Sequence, residues 1–333
     1  MKKYQHYING EWIDSTGNEL IAVVNPATEE VIGEISAANK DDIGLAVAAA
    51  KTAYESRVLV DMNPMERAKL MRSIADELRK VSKDGGALLC AENGKLLGAS
   101  EYEFLDAANY FDYYSGLTDK IEGQTIPVNN QVMDYTLYEP YGVSGHIVPW
   151  NFPISMLARS LACSFAAGNS TVIKPAELTP LATTSFFAQA IHNAGVPKGL
   201  INIVTGYGVE AGAALTSNND VAQITFTGSV KTGKAILHAA AERAVPAVVE
   251  LGGKSAAVVL PDADIDKVVN ATKVGIFSQA GQICSAMSRM IVHKSIKDEL
   301  ITKLVDLGKS LKVGAGYEAV SYTHLTLPTK RIV

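Results

Sequence analysis

Cysteine is scarce. There are three in 333 residues, Cys90, Cys163 and Cys284, scattered and odd in number. That pattern argues against a disulfide framework and reads as free thiols in a reducing compartment, with the cytoplasm as the expected location. Runs of Lys and Arg are also missing: 30 basic residues face 35 acidic ones, for a formal charge of −5. Nucleic acid and anionic membrane surfaces are therefore not expected partners. No apolar stretch approaches the ~20 residues that cross a bilayer. None follows Met1-Lys2-Lys3-Tyr4-Gln5-His6 either, so no signal peptide is expected. A Gly-x-Gly-x-x-Gly phosphate turn is absent too, which leaves only weaker patterns for a nucleotide site.

What is present is the composition of a soluble globular protein, 47% hydrophobic and 20% charged, and the length favours two domains. Residues 4 to 36 read as short strands and turns, with an Asn9-Gly10 pair between strand formers. Helical spacing runs from Asp41 to about Leu117. Its clearest start is Asn63-Pro64-Met65-Glu66, where Asn63 can cap and Glu66 can close a capping box; Met71, Ile74, Leu78 and Val81 then recur on one buried face. Residues 118 to 141 break that pattern. Gly123 to Pro127 reads as a loop and Tyr135 to Tyr138 as part of a strand pair, either a subunit-contact arm or an edge hairpin.

From Tyr141 strands and helices alternate. Gly145 to Pro149, Thr171 to Pro175, Gly199 to Val204 and Ala222 to Phe226 are short apolar strands, each closed by a turn and most followed by a helix. This βαβα rhythm predicts an α/β fold with a parallel sheet covered on both faces, which binds ligands at the carboxyl ends of its strands. Residues 256 to 312 restart the alternation and read as a second α/β unit. Within it, Pro261-Asp262-Ala263-Asp264 reads as the polar start of a helix rather than a carboxylate pair.

Two stretches carry reactive side chains. Val249 to Ser255 brings Glu250 to the end of an apolar run before the pair Gly252-Gly253. Phe277 to Cys284 sets a cysteine just past Gly281-Gln282. A thiol and a carboxylate brought together suggest a nucleophile with a general base, although a cysteine in an apolar segment is more often a small core residue. Phe226 to Gly233 spans a strand-to-helix junction where Gly228 would let a phosphate approach the backbone, or is a plain turn. Glu177, after Lys174-Pro175-Ala176, could bind ribose hydroxyls or lie in a solvated turn. Asn151, held in Pro149-Trp150-Asn151-Phe152-Pro153, offers a carboxamide suited to an oxyanion, or else an N-cap.

Pro149 to Pro153, Ile173 to Glu177, Phe226 to Gly233, Glu250 to Lys254 and Gly281 to Cys284 together resemble the successive signatures of NAD(P)-dependent aldehyde dehydrogenases, over about residues 4 to 318. The resemblance implies a Rossmann-like NAD-binding domain (1–117 and 142–252), a bridging or oligomerisation arm (118–141) and the start of a catalytic domain (253–318). It implies Cys284 as nucleophile, Glu250 as the base that activates water, and Asn151 as oxyanion donor, with Lys174 also at the site. NAD, with NADP possible, would be contacted by Ile147, Pro149, Trp150, Asn151, Lys174, Glu177, Gly206, Gly208, Gly212, Phe226, Thr227, Gly228, Ser229, Thr232, Leu251 and Gly252. Glu177 favours NAD, because a carboxylate at the ribose repels a 2′-phosphate. Arg159 and Phe152 would face the substrate, and an Arg there suits a polar or carboxylate-bearing aldehyde; snorkelling from a helix face is the other reading of Arg159. No metal is implied, and a homodimer or homotetramer is expected of the complete family member.

From about Ala319 the sequence departs from that pattern, and residues 319–333 read as a non-family tail on a truncated frame. Two further readings stay open: a non-catalytic NAD-binding fragment, and a thioester or ester hydrolase that needs no cofactor.

Overall fold

The computed structural model describes residues 2–318 and the backbone of residues 322 and 323. The tail expectation otherwise lies outside the described residues. A seven-stranded sheet organises the chain: β1 (His6–Ile8), β2 (Glu11–Ile13), β3 (Val143–Ile147), β4 (Ser170–Lys174), β5 (Ile201–Ile203), β6 (Val221–Gly228) and β7 (Ala247–Leu251). Its order is β7-β6-β3-β4-β5-β1-β2, with β3 to β7 parallel and β1 antiparallel to β5. The chain therefore steps outward from β3 through β4 to β5, returns to the other flank of β3, and continues as β6 and β7. The point of reversal lies between β3 and β6, where an open parallel sheet forms a crevice at its carboxyl edge.

Successive residues on a strand face opposite sides, so both faces need apolar cover. On β4, Val172 joins one core and Ile173 the other. The first core packs α2 (Pro64–Lys80), α4 (Leu97–Ser115) and α5 (Pro153–Ala166) against the sheet through Met71, Ile74, Leu78, Phe104, Phe111, Leu157 and Leu161. The second brings in α1 (Lys40–Glu55) and α6 (Val230–Glu242) through Ile43, Val47 and Ile236.

Local signals behave as their chemistry dictates. Asn63 caps α2 by accepting from the Met65 N–H, with Pro64 in the first turn. The reciprocal capping box belongs to α1, where Asn39 and Asp42 exchange side-chain-to-backbone bonds. Asp264 caps the helix Ile265–Thr272 by accepting from the Lys267 N–H, as its place in the sequence suggests. Two readings differ from the structure here. Of Tyr135 to Tyr138, expected as part of a strand pair, only Tyr135 lies in a strand. Residues expected to form a loop at 123–127 enter a two-stranded ribbon, Thr125–Asn129 against Val132–Tyr135, and Pro127 is tolerated because the ribbon has free edges. Every residue of both strands is exposed.

Past the sheet, Ala256–Val259 and Arg289–Val292 pair in parallel, joined by the helical stretch that leads to Cys284. Among the described residues no helix is long and apolar enough to cross a membrane.

Candidate active site at the carboxyl edge of the sheet

Register places the candidate residues along one edge. Ile147 pairs with Lys174 and with Phe226, Thr227 with Glu250, and Gly228 with Leu251. The ends of β3, β4, β6 and β7 thus deliver Ile147, Lys174, Thr227, Gly228, Glu250 and Leu251 to the same rim of the sheet. Beyond β3 come Pro149, Trp150, Asn151 and Phe152, and beyond β5 the loop holding Gly206 and Gly208.

Lys174 is buried, and its Nζ donates to the Pro175 carbonyl at 2.8 Å and to Glu177 Oε2 at 3.3 Å. Burial lowers its pKa, against which the Glu177 carboxylate pulls upward. Gly212 lies close by: a Cβ there would stand 3.7 Å from Lys174 Cδ and 3.9 Å from Ile147 Cδ1. Ser229 caps α6 by accepting from the Thr232 N–H at 3.1 Å and shares a hydroxyl bond with Thr232 Oγ1. An exposed N-terminus of a 13-residue helix beside Gly228 is a place where backbone N–H groups can meet a pyrophosphate. A buried ammonium paired with a carboxylate, on the same rim of the sheet as that helix end, suits the ribose and phosphates of a dinucleotide. These features fit NAD.

Asn151 does not cap α5. Phe152 takes the cap position without a side-chain bond, and the Asn151 carboxamide turns away to donate from Nδ2 to the Gln282 carbonyl at 2.7 Å. This brings the candidate oxyanion donor against the loop that ends in Cys284, an exposed free thiol. Gly253, three residues after Glu250, meets the same loop: a Cβ on it would lie 3.4 Å from the Cys284 carbonyl oxygen. Glu250 is half-exposed and pairs with Arg159, Nη2 to Oε1 at 3.2 Å. Arg159 thus reaches across to the candidate base instead of snorkelling freely, while Ser155, also on α5, is buried.

The turn that carries the thiol is left-handed over three residues, Gln279 (φ 54°), Ala280 (φ 53°) and Gly281 (φ 77°). Only the third is a glycine, and a side chain in that region costs about 1–2 kcal/mol per residue. External contacts must hold it.

Behind Asn151 lies a layer of residues that the sequence signals do not single out. Asn93 donates to the Trp150 carbonyl at 2.7 Å, and Thr179 donates to the same oxygen at 3.1 Å. Lys95 Nζ donates to the Asn151 carbonyl at 2.7 Å, bonds the Glu103 carboxylate, and lies 4.4 Å from the centroid of the Phe152 ring. Glu103 in turn accepts from the Ile154 and Ser155 N–H groups in the first turn of α5, at 3.1 and 3.2 Å. Nearby, buried Glu92 accepts from the Leu181 and Ala182 N–H groups at 2.6 and 3.0 Å. Burial pushes its carboxyl up to about 8 despite those bonds. A signal for Glu103 existed: it stands in the stripe Ser100, Phe104, Ala107, Ala108, Phe111, an acid on the buried face of a helix.

The family model described as the aldehyde dehydrogenase family matches residues 12–325, which runs past Ala319. Aldehyde dehydrogenase family 2 member C4 of Arabidopsis thaliana is 40% identical over 318 residues, covering 95% of this chain and 63% of that protein. Betaine aldehyde dehydrogenase of Bacillus subtilis is 38% identical over 315 residues, covering 94% of this chain and 64% of that protein. Among solved structures, the NAD+ complex of an aldehyde dehydrogenase from Bacillus cereus superposes with a TM-score of 0.93 at 38% identity, covering 95% of this chain and 65% of that one. The chain thus spans less than two thirds of the length of these relatives.

Proposed function

This chain belongs to the aldehyde dehydrogenase family, and from that membership we propose that the whole protein oxidises an aldehyde to a carboxylic acid with NAD as the acceptor. The observation that carries the proposal is the meeting of the Asn151 carboxamide, the Cys284 loop and the turn after Glu250 at one edge of the sheet. NADP is the possible alternative cofactor, disfavoured by the Glu177 carboxylate beside Lys174.

In the proposed reaction the Cys284 sulfur bonds to the aldehyde carbon, and the carbonyl oxygen takes up the displaced electron pair. Asn151 Nδ2 and the Cys284 backbone N–H hold that oxyanion. NAD, when bound, would accept the hydride from the same carbon. The resulting thioester on Cys284 is hydrolysed by a water whose proton passes to Glu250, which releases the acid and restores the thiol. Lys174 and Glu177 hold the ribose, and Gly228, Ser229 and Thr232 the pyrophosphate. Ile147, Pro149, Trp150, Gly206, Gly208, Gly212, Phe226, Thr227, Leu251 and Gly252 shape the remaining cofactor surface. Phe152 and Arg159 face the substrate, for which a carboxylate-bearing aldehyde is proposed.

We further propose residues 1–117 and 142–252 as the cofactor unit, 118–141 as an arm between subunits of a dimer or tetramer, and 253–318 as the beginning of the catalytic unit. The proposed location is the cytoplasm. NADH formation from a panel of charged and neutral aldehydes tests the reaction, with Cys284→Ala expected to abolish it. Thermal stabilisation by NAD without any NADH would favour a binding fragment. Ester hydrolysis indifferent to NAD would favour a cofactor-free hydrolase.

A further inference from the structure

Gln279 joins the two arms of the candidate site. Its Nε2 donates to Asn93 Oδ1 and to the Asn151 carbonyl, both at 3.0 Å. Asn93 uses its amide in both directions, its oxygen accepting from Gln279 and its nitrogen donating to the Trp150 carbonyl. The Asn151 carbonyl accepts from Gln279 and from Lys95, so both its lone pairs are engaged. Three residues on, the Gln282 carbonyl accepts from the Asn151 carboxamide. The loop therefore docks on Asn151 twice, once through its backbone oxygen and once through its side chain. A carboxamide nitrogen carries two hydrogens, so the bond to Gln282 leaves the other for an oxyanion.

We propose that Gln279 is the positioning residue that holds the Cys284 loop in register with the Asn151 carboxamide. Left-handed φ values at Gln279 and Ala280 show that the turn is not the local preference of its own residues. What fixes it is a pair of bonds to groups that are themselves fixed. Asn93 is buried at the end of α3 (Ser82–Asn93), and Lys95 is buried against Glu103. Strain held by surrounding contacts is a familiar way to preset a reactive geometry. Gln279 touches neither substrate nor cofactor in this scheme; it acts through the relative placement of Cys284 and Asn151. The proposal rests on the reading of those two residues as nucleophile and oxyanion donor.

The test uses the whole chain and two readouts. Gln279→Met keeps the side-chain length and removes both donated bonds. By hydrogen exchange it should speed amide exchange across residues 278–286 by about tenfold or more, with α2 unchanged. Gln279→Glu, which keeps size and polarity without the donor, carries the same expectation should the first variant fold poorly. Exchange within about twofold of the parent would overturn the proposal.

In aldehyde oxidation, kcat should fall about ten- to a hundredfold while KM for NAD stays within about twofold. In an Asn151→Ala background the same change should cost less than about threefold, since there is then no carboxamide to align. Full additivity would overturn the proposal. A parent chain that makes no NADH from any aldehyde removes the enzyme reading, and the exchange result then decides whether Gln279 holds the loop.

Discussion

Lys95→Met should destabilise the protein by about 3–5 kcal/mol, the usual penalty for stranding one member of a buried ion pair. The Lys95 side chain is 1% exposed and that of Glu103 3%. Burial lowers the pKa of Lys95 and raises that of Glu103, with each partner opposing the shift of the other. Without Lys95, Glu103 keeps two N–H bonds at the start of α5, where the helix end also favours negative charge. That residual support places the expected loss toward ~3 kcal/mol. The carboxyl of the variant should rise further and hold its proton to higher pH. A raised folded-state pKa gives stability that is full below the unfolded value and lost as pH climbs through the folded one. The deficit against the parent should therefore grow from acid toward alkaline pH.

Glu103→Gln added to Lys95→Met removes the stranded charge and should bring stability back to within about 1–2 kcal/mol of the parent. Urea unfolding followed by tryptophan fluorescence measures this directly, because Trp150 precedes Asn151 and Trp12 is the only other indole. A loss below about 1 kcal/mol in the single variant, or a double variant no more stable than the single one, would refute the reasoning.

Three further outcomes are expected. Glu92, raised from 4.5 to about 8 by burial, carries up to roughly 4–5 kcal/mol of stability that is full in acid and lost as pH rises from about 4.5 through about 8. In Tm measured against pH, Glu92→Gln should flatten that fall, and an unchanged slope would show that another group carries it. Gly206→Ala should lose about 1–3 kcal/mol in urea unfolding, since its φ is 157° and the new Cβ would lie 2.9 Å from that of Ala211. Arg159→Ala should lower kcat/KM for carboxylate-bearing aldehydes and spare neutral ones; equal effects on both would remove Arg159 as a substrate contact.

Local signals in the sequence were enough to mark the sheet and its reactive rim. Short apolar strands ending in turns give β3 to β7, and parallel register then lines up residues far apart in the chain, such as Thr227 with Glu250. Cys284, Glu250 and Asn151 stand out because a thiol, an acid and an amide interrupt apolar or small-residue stretches. The supporting layer was not legible in the same way. Lys95 looks like an ordinary surface charge until the packing of α4 and α5 buries it, and only the helical stripe around Glu103 hints that its acid turns inward. Gln279 is conspicuous only through a left-handed turn, and two of its three residues are types that do not normally signal one. The ribbon at 125–135 departs from the local signals at both ends: Gly123 and Pro127 speak for a loop and Tyr135 to Tyr138 for a strand, whereas cross-strand pairing of Thr125 with Tyr135 starts one strand and ends the other.

The two halves of the site differ in how firmly they are held, and the difference follows from what each must do. An oxyanion donor is useful only if its dipole is aimed before charge develops, since reorienting it during the reaction would use up the stabilisation it supplies. Asn151, the proposed donor, is accordingly gripped through its carbonyl by Lys95 and Gln279, with Trp150 before it and Ile154 after it tied to Asn93, Thr179 and Glu103. In the proposed reaction the nucleophile and the base must instead be reached, by an aldehyde and then by a water. Cys284 and Glu250 are exposed, and the ion pair between Glu250 and Arg159 joins side chains 49% and 44% exposed. A pair so well solvated contributes about 0–1 kcal/mol, so either member can be recruited by a substrate at little cost. Buried contacts are concentrated behind the proposed oxyanion donor, and open access is left where atoms must arrive and leave.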